Sequence, residues 1–249
     1  MKAIIVAAGP GSRLYPFTTR KPKCLLEVGG QTIFERTLAA LRESGIDNIV
    51  VVRGYHSNLI NYPNITYCEN PDYQNNNILR SLFYAEDEMD NDFIFSYSDI
   101  LYSKEIVEKL IQSDADIALI ADVNWTQHYE GRYQHPVAEA ELVKVEKGRV
   151  VKIGKDVVRP EEAHGEFIGL AKFTKAGIKV MRAAYHRVAD ECPNEPFHNA
   201  ASLDKAYMTD MIQELVDIGS PVKSVDIAGG WMEIDTPQDL ERAQTLFSP

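Results

Sequence analysis

Between Ala7 and Lys23 the chain reads AAGPGSRLYPFTTRKPK, a segment with two glycines and four basic residues directly after an apolar run. Gly9 and Gly11 allow the backbone to approach a ligand closely and to present amide N–H groups. Arg13 offers a forked donor that suits phosphate oxygens, and Lys23 a movable point charge. Pro16 and Pro22 stiffen the intervening chain, which limits the entropy lost when it closes on an anion. Two well-known phosphate loops do not fit. No GxxxxGK[ST] string is present, and a GxGxxG pattern begun at Gly9 and Gly11 meets Leu14 at its third glycine. The next strand also ends in Arg53-Gly54, without the acid that grips a ribose. The chemistry indicated is therefore anion binding by a loop of another kind.

The elements around this loop explain its placement. KAIIVAA is β-branched and apolar, as expected of a strand buried on both faces of a sheet, and ligands of α/β proteins bind at the carboxyl ends of such strands. TIFERTLAALRESG opens with Thr32 and Glu35 in capping-box spacing and ends at Gly45, which predicts a helix. NIVVVRG and ITYCEN read as strands, ILRSLFYAEDEM as a helix, DFIFSYSD as a strand, SKEIVEKLIQS as a helix and DIALIAD as a strand. This alternation predicts a doubly wound α/β fold with a mostly parallel sheet. Near Asn124 the pattern changes to a hairpin turning at Lys147-Gly148 and a further strand, GEFIGLAKF, giving a small antiparallel extension. Helices near Thr174–Val188 and Leu203–Ile218, the strand VKSVDIA, and a last helix starting at Thr236-Pro237 complete the reading. Residues 1–249 are read as one domain, with the extension within about 124–220.

Composition narrows the function. The formal net charge of −11 argues against binding nucleic acid or a membrane surface, so the cationic loop is a local exception suited to a small anion. Cys24, Cys68 and Cys192 form no CxxC pair, which indicates neither zinc nor a disulfide framework. The opening apolar run is too short for a signal peptide or membrane span, and a cytoplasmic location is expected. The six histidines show no HxH or HExxH pattern and are read as surface or core residues.

Ala7, Ala8, Gly9, Gly11, Ser12, Arg13, Pro16, Thr18, Pro22 and Lys23 together resemble the signature of nucleotidyltransferases that activate sugar-1-phosphates and related phospho-compounds. That resemblance implies that Arg13 holds the β and γ phosphates of a nucleoside triphosphate. Lys23 would hold the α-phosphate, and Ala7, Ala8, Gly9, Gly11 and Ser12 would line the nucleotide. It also implies Mg²⁺ held by Asp99, at the end of FSYSD, and by Asp235, in WMEIDTPQDL. Standing alone, Asp99 reads as a turn residue and Asp235 as a helix-start charge. Within YQNNNILRSL the resemblance places Asn75 and Asn77 beside the base, in a run that aligns in more than one register.

KIGKDV and GEFIGLAKF look most like the branch of cytidylyltransferases acting on choline phosphate and aminoalkyl phosphonates. Lys155 would orient the acceptor's anionic head, with Glu166, Asp204, Asp210 and Trp231 on the acceptor side. Trp231 reads equally as core, and the acids as solvated helix faces. The reading is Mg²⁺-dependent transfer of CMP from CTP to an aminated phosphate or phosphonate. A sugar-1-phosphate enzyme using UTP, dTTP or GTP, or a non-catalytic nucleotide-binding regulator, are the alternatives. Partners are expected to be small molecules, with a homodimer left open.

Overall fold

The apolar run after Met1 forms β1 (Lys2–Ala7), buried along its whole length in the computed structural model, which describes residues 1–192 and 195–246. A small hairpin, β2 (Glu27–Val28) and β3 (Gln31–Thr32), leads into α1 (Ile33–Glu43). The capping box is complete: Thr32 Oγ1 accepts from the Glu35 amide, and Glu35 Oε2 accepts from the Thr32 amide. There follow β4 (Asn48–Arg53), β5 (Ile65–Glu69), α2 (Ile78–Phe83), β6 (Phe93–Tyr97), β7 (Ile100–Tyr102), α3 (Lys104–Gln112) and β8 (Ile117–Asp122). Helix α2 stops sooner than its sequence predicts, because Glu86, Asp87 and Glu88 would set three acids at its carboxyl end, against the helix dipole. The second half contributes α4 (Thr126–Tyr129), β9 (Leu142–Glu146), β10 (Arg149–Gly154), β11 (Gly165–Phe173), α5 (Lys175–Glu191), α6 (Met208–Asp217), β12 (Lys223–Ile227), β13 (Trp231–Glu233) and α7 (Pro237–Leu246).

One large sheet carries the order β5-β4-β1-β6-β11-β8-β12-β10-β9. Successive residues of β1 alternate between its faces. Ile4 and Val6 pack with Leu82, Met181 and Met211 of α2, α5 and α6, whereas Ala3, Ile5 and Ala7 pack with Phe34, Leu38 and Val107 of α1 and α3. A fully buried side chain such as Phe34 contributes roughly 1.5–3 kcal/mol, so both helical layers are fastened by area rather than by single bonds.

The sheet is mixed rather than mostly parallel, which corrects the sequence reading. Strands β5, β4, β1 and β6 run parallel, but β11 lies antiparallel between β6 and β8, and β10 antiparallel to β12 and β9. The physical reason is connection length. A parallel neighbour needs a long crossover, whereas only Lys147 and Gly148 join β9 to β10. The hairpin turn uses Lys147 and Gly148, both at positive φ, the pair that matches strand twist. Strand β9 then curls back to pair with the start of β11, at Gly165↔Val143 and Glu166↔Leu142. No described helix is long and apolar enough to cross a membrane.

Gly169 bulges β11 against β8 with φ +86°, and a Cβ there would stand 2.2 Å from Tyr97 Cδ2. Gly45 is also left-handed, at φ +82°, but has open space around it. Gly169→Ala is therefore expected to lose roughly 1–3 kcal/mol more stability than Gly45→Ala in urea unfolding, the cost of overpacking added to that of strain. Equal losses would remove the close approach of Tyr97 as the cause.

Candidate active site

Strands β7 and β13 form a two-stranded ribbon beside the main sheet, with Glu233 opposite Ile100. The Ile234 amide donates to the Asp99 carbonyl at 2.9 Å, so the end of the ribbon sets Asp99 and Asp235 side by side although 136 positions separate them in the chain. Lys23 closes the arrangement. Its Nζ donates to Asp99 Oδ2 at 2.8 Å and to Asp235 Oδ1 at 2.5 Å. Burial alone would lower the Lys23 pKa, but Asp99 and Asp235 outweigh it and hold the ammonium charged. Burial would likewise raise Asp235, yet Lys23, His135 and Arg13 hold its carboxyl well below the usual range.

The glycine loop is built to deliver these charges. Gly11 sits at φ +60°, and a Cβ on it would lie 2.9 Å from the Lys23 Cβ, so the loop closes on Lys23 only with glycine there. Thr18 Oγ1, fully buried, donates to the Gly11 carbonyl at 2.8 Å and pins the fold of the loop. Arg13 Nη2 reaches Asp235 Oδ2 at 2.5 Å, and its other nitrogen lies 3.5 Å from Glu139 Oε2.

These groups face a cavity of about 350 Å³ at the carboxyl end of β1. Lys155 also lines it: its Nζ donates to Glu139 Oε2 at 3.1 Å, the oxygen that Arg13 approaches, and stands 4.5 Å from the centre of the Tyr207 ring. Around it are buried carboxyls with phenol partners: Tyr97 donates to Glu141 at 3.1 Å, and Tyr129 to Glu166 at 2.6 Å. Burial pushes Glu166 up to about 8, helped by Glu233 and opposed by the Tyr129 bond, and pushes Glu141 up to about 7 against Lys155 and Tyr97. Asp99 Oδ1 and Glu166 Oε2 are buried without a hydrogen-bond partner among the described residues.

Of the residues singled out in the sequence, Ala7, Gly9, Gly11, Ser12, Arg13, Lys23, Asn77, Asp99, Lys155, Glu166, Trp231 and Asp235 line this cavity. Others lie outside it. Ala8 is buried, with its carbonyl accepting from the Tyr55 amide, and Asn75 is exposed and donates to Asp72. Asp204 is 3.7 Å from Arg80, and Asp210 accepts from the Tyr207 and Asn199 amides at the start of α6. Trp231 packs in the core, and its indole N–H donates to Asp122 at 2.8 Å, so only part of the ring meets the cavity. Asn77 both borders the cavity and caps α2.

Sequence reasoning missed Glu139, Glu141, Glu233 and His135. His135 is not a plain surface or core histidine: it is 2% exposed, with Nδ1 3.2 Å from Asp235 and Nε2 3.6 Å from Glu233. His135, Glu233 and Asp235 each offer a ligand atom within 4.8 Å of the others, a group that could also hold a cation. The alternation of acid and apolar residues in AEAELV and in WMEID carried a signal for Glu139, Glu141 and Glu233, but nothing local marked His135.

Residues 3–149 match the family described as MobA-like NTP transferase domain. The CTP:phosphoglutamine cytidylyltransferase of Campylobacter jejuni is 33% identical over 252 residues, covering 97% of this chain and 98% of that protein. Among solved structures, the inositol-1-phosphate CTP transferase of T. maritima matches with a TM-score of 0.76 and 23% identity, over 99% of this chain and 94% of the other. The CTP:phosphocholine cytidylyltransferase of Streptococcus pneumoniae matches with a TM-score of 0.76 and 20% identity, over 99% of both chains.

The Glu166 proton has a thermodynamic consequence. The folded protein holds it up to about pH 8, whereas an unfolded glutamic acid loses it near 4.5. That contribution to stability is complete below the unfolded value and is lost as the pH rises through the folded one, with a slope of at most about 1.4 kcal/mol per pH unit for one proton. Urea unfolding of the wild type should therefore show stability falling between pH 5 and 8.5, and Glu166→Gln should flatten part of that fall. Parallel pH profiles for the two proteins would mean that Glu166 ionises normally.

Proposed function

The chain belongs to the MobA-like NTP transferase family and is a nucleotidyltransferase, and on that premise we propose that it transfers CMP from CTP to a small phosphate or phosphonate bearing an amine or quaternary ammonium. The observation that carries this reading is a cavity lined by two chemically different groups of side chains. One is Arg13 and Lys23 over Asp99 and Asp235, and the other is Lys155 with Glu139, Glu141, Glu166 and tyrosine rings, Glu139 being shared between them. The first group suits a triphosphate. The second suits an acceptor with an anionic head and a nitrogen-bearing tail, since ionised carboxyls and aromatic faces attract ammonium groups. Cytidine is favoured by the similarity to the C. jejuni enzyme over nearly the full length of both chains.

No protein nucleophile is required. An acceptor oxygen, already anionic, forms a bond to the α-phosphorus while the bond to the bridging oxygen of the β-phosphate breaks, and the electron pair leaves with pyrophosphate. The chain's task is positioning and neutralisation of charge. Arg13 and Lys23 exchange carboxylate partners for phosphate oxygens, Arg13 at the β and γ positions and Lys23 at the α-phosphate and the approaching acceptor. The Gly9–Ser12 backbone lies against the nucleotide, Asn77 reads the base, and Lys155 orients the acceptor's head. The stretch 124–220 supplies the acceptor side.

The oxygen donors of Asp99 and Asp235, with Asp99 Oδ1 buried and lacking a hydrogen-bond partner among the described residues, fit Mg²⁺, a hard cation that takes one or two carboxylates together with substrate phosphates. Asp99 and Asp235 would hold the ion, which would neutralise charge building on the α-phosphate.

Pyrophosphate release should fall by about 10²–10³ in Arg13→Ala or Lys23→Ala, the usual cost of losing a donor aimed at transition-state charge. Asp99→Ala and Asp235→Ala should nearly abolish turnover, and excess chelator should silence the wild type reversibly. Near-normal rates in any of these variants would withdraw the role given to that residue. With CTP fixed, choline phosphate, 2-aminoethylphosphonate and phosphoglutamine should be compared with glucose-1-phosphate. Above about pH 8, where Glu166 is ionised, Glu166→Gln should weaken use of the aminated acceptor and leave CTP affinity intact. A wide preference for glucose-1-phosphate would sink the aminated-acceptor reading in favour of a sugar substrate.

A further inference from the structure

Resting on the assignment of Asp235 as a metal ligand, we propose that Arg132 and Asp239 are positioning residues that keep Asp235 aimed at the metal once substrate has drawn Arg13 and Lys23 away. The Asp235 carboxylate is held by Lys23, Arg13 and His135. Two of those three are the cations that the triphosphate recruits. The direction of the carboxylate must then be fixed by contacts that the ligand does not consume, and the backbone of Asp235 has such contacts.

Asp239 Oδ2 accepts from the Asp235 amide at 3.1 Å, from the Thr236 amide at 2.9 Å and from the Thr236 hydroxyl at 2.8 Å. The Asp239 amide returns a bond to Thr236 Oγ1 at 3.2 Å, completing a reciprocal cap at the start of α7. Arg132 locks this turn from the other side. Its Nε donates to Asp239 Oδ1 at 2.6 Å, and its Nη2 donates to Asp239 Oδ2 at 2.9 Å and to Glu233 Oε2 at 2.9 Å. The guanidinium thus spans both flanks of Asp235, residue 233 before it and residue 239 after it. Asp239 is fully buried and Arg132 is 9% exposed, so the pair is shielded from the solvent that weakens surface ion pairs. Both Asp239 oxygens are bonded by the one guanidinium, the bidentate pairing that fixes orientation as well as distance.

Arg132 belongs to the segment before β9, which also sends Glu139 to Arg13 and Lys155. The same segment therefore touches both Arg13 and Lys155, and the clamp transmits its placement to the carboxylate. Groups one step removed from a metal commonly alter its affinity by about 10–100-fold.

The test compares Mn²⁺·CTP with metal-free CTP, using the intact protein without acceptor. Affinity for Mn²⁺·CTP is read by water-proton relaxation, and that for CTP in EDTA by calorimetry. Arg132→Lys keeps the charge but loses the fork, whereas Asp239→Asn keeps an acceptor for the turn but loses the ion pair. Each is expected to weaken Mn²⁺·CTP binding at least about tenfold, to leave metal-free CTP unchanged, and to retain a native circular dichroism spectrum. Wild-type affinity for Mn²⁺·CTP in both variants, or equal loss of both ligands, would overturn the positioning role. Asp235→Asn serves as reference. If it fails to separate Mn²⁺·CTP from CTP, the metal assignment falls first, and the clamp with it. If it separates them while the other two do not, only the clamp is wrong.

Discussion

A buried ammonium shared by two carboxylates is the constraint on which the rest of this structure depends. Lys23 could not be carried out of water alone, since the penalty for an isolated buried charge is several kcal/mol. Asp99 and Asp235 meet it at 2.8 and 2.5 Å and bring a net negative charge into the same volume. Three distant segments must therefore converge: the glycine loop, the turn after β6 and the turn before α7. A buried ion pair is a weak source of stability, but breaking one is costly, and this one can form in a single arrangement of the three segments. Its contribution is to geometry.

The charges around that centre are interleaved rather than separated by sign. Arg13 bridges Asp235 and Glu139, Lys155 joins Glu139, and Arg132 joins Glu233 and Asp239. A site with this layout stays near neutrality without ligand and can release cations to arriving phosphates at little reorganisation cost. It also accounts for an acidic chain, with a net charge of −11, carrying an anion-binding loop. Arg13 and Lys23, the loop cations that line the cavity, each have an acid partner close by. The acids that lack a cation of their own, Glu141 and Glu166, are instead bonded by tyrosines and held up to about 7 and about 8 by burial.

The mixed sheet is what places those two carboxyls. Strand β11 runs against β6 and β8 and meets the returning β9, so Glu166 and the start of β9 lie over the carboxyl end of β1. The left-handed bulge at Gly169 admits the Tyr97 ring, and Tyr97 in turn bonds Glu141. Backbone irregularity and side-chain chemistry are coupled at this point: without the glycine the ring that restrains Glu141 would have to move.

What the sequence determined alone was whatever local chemistry can encode. The capping box of Thr32 and Glu35, the Lys147-Gly148 turn and the buried run of β1 each carry their instruction within a few residues, and each stands as read. Strand direction was not encoded in that way. GEFIGLAKF reads as a buried strand whichever way it runs, and its direction is fixed only by its pairing with β6 and β8. Tertiary structure likewise decided which acids matter. Asp204 looks as available as Glu141 in the sequence, yet one is paired with Arg80 outside the cavity and the other is buried within it. His135 had no motif at all, because its partners, Glu233 and Asp235, lie about a hundred positions away. Periodicity and caps act over one turn of helix or one hairpin. Burial and charge pairing act through space, and their partners exist only once the sheet has closed.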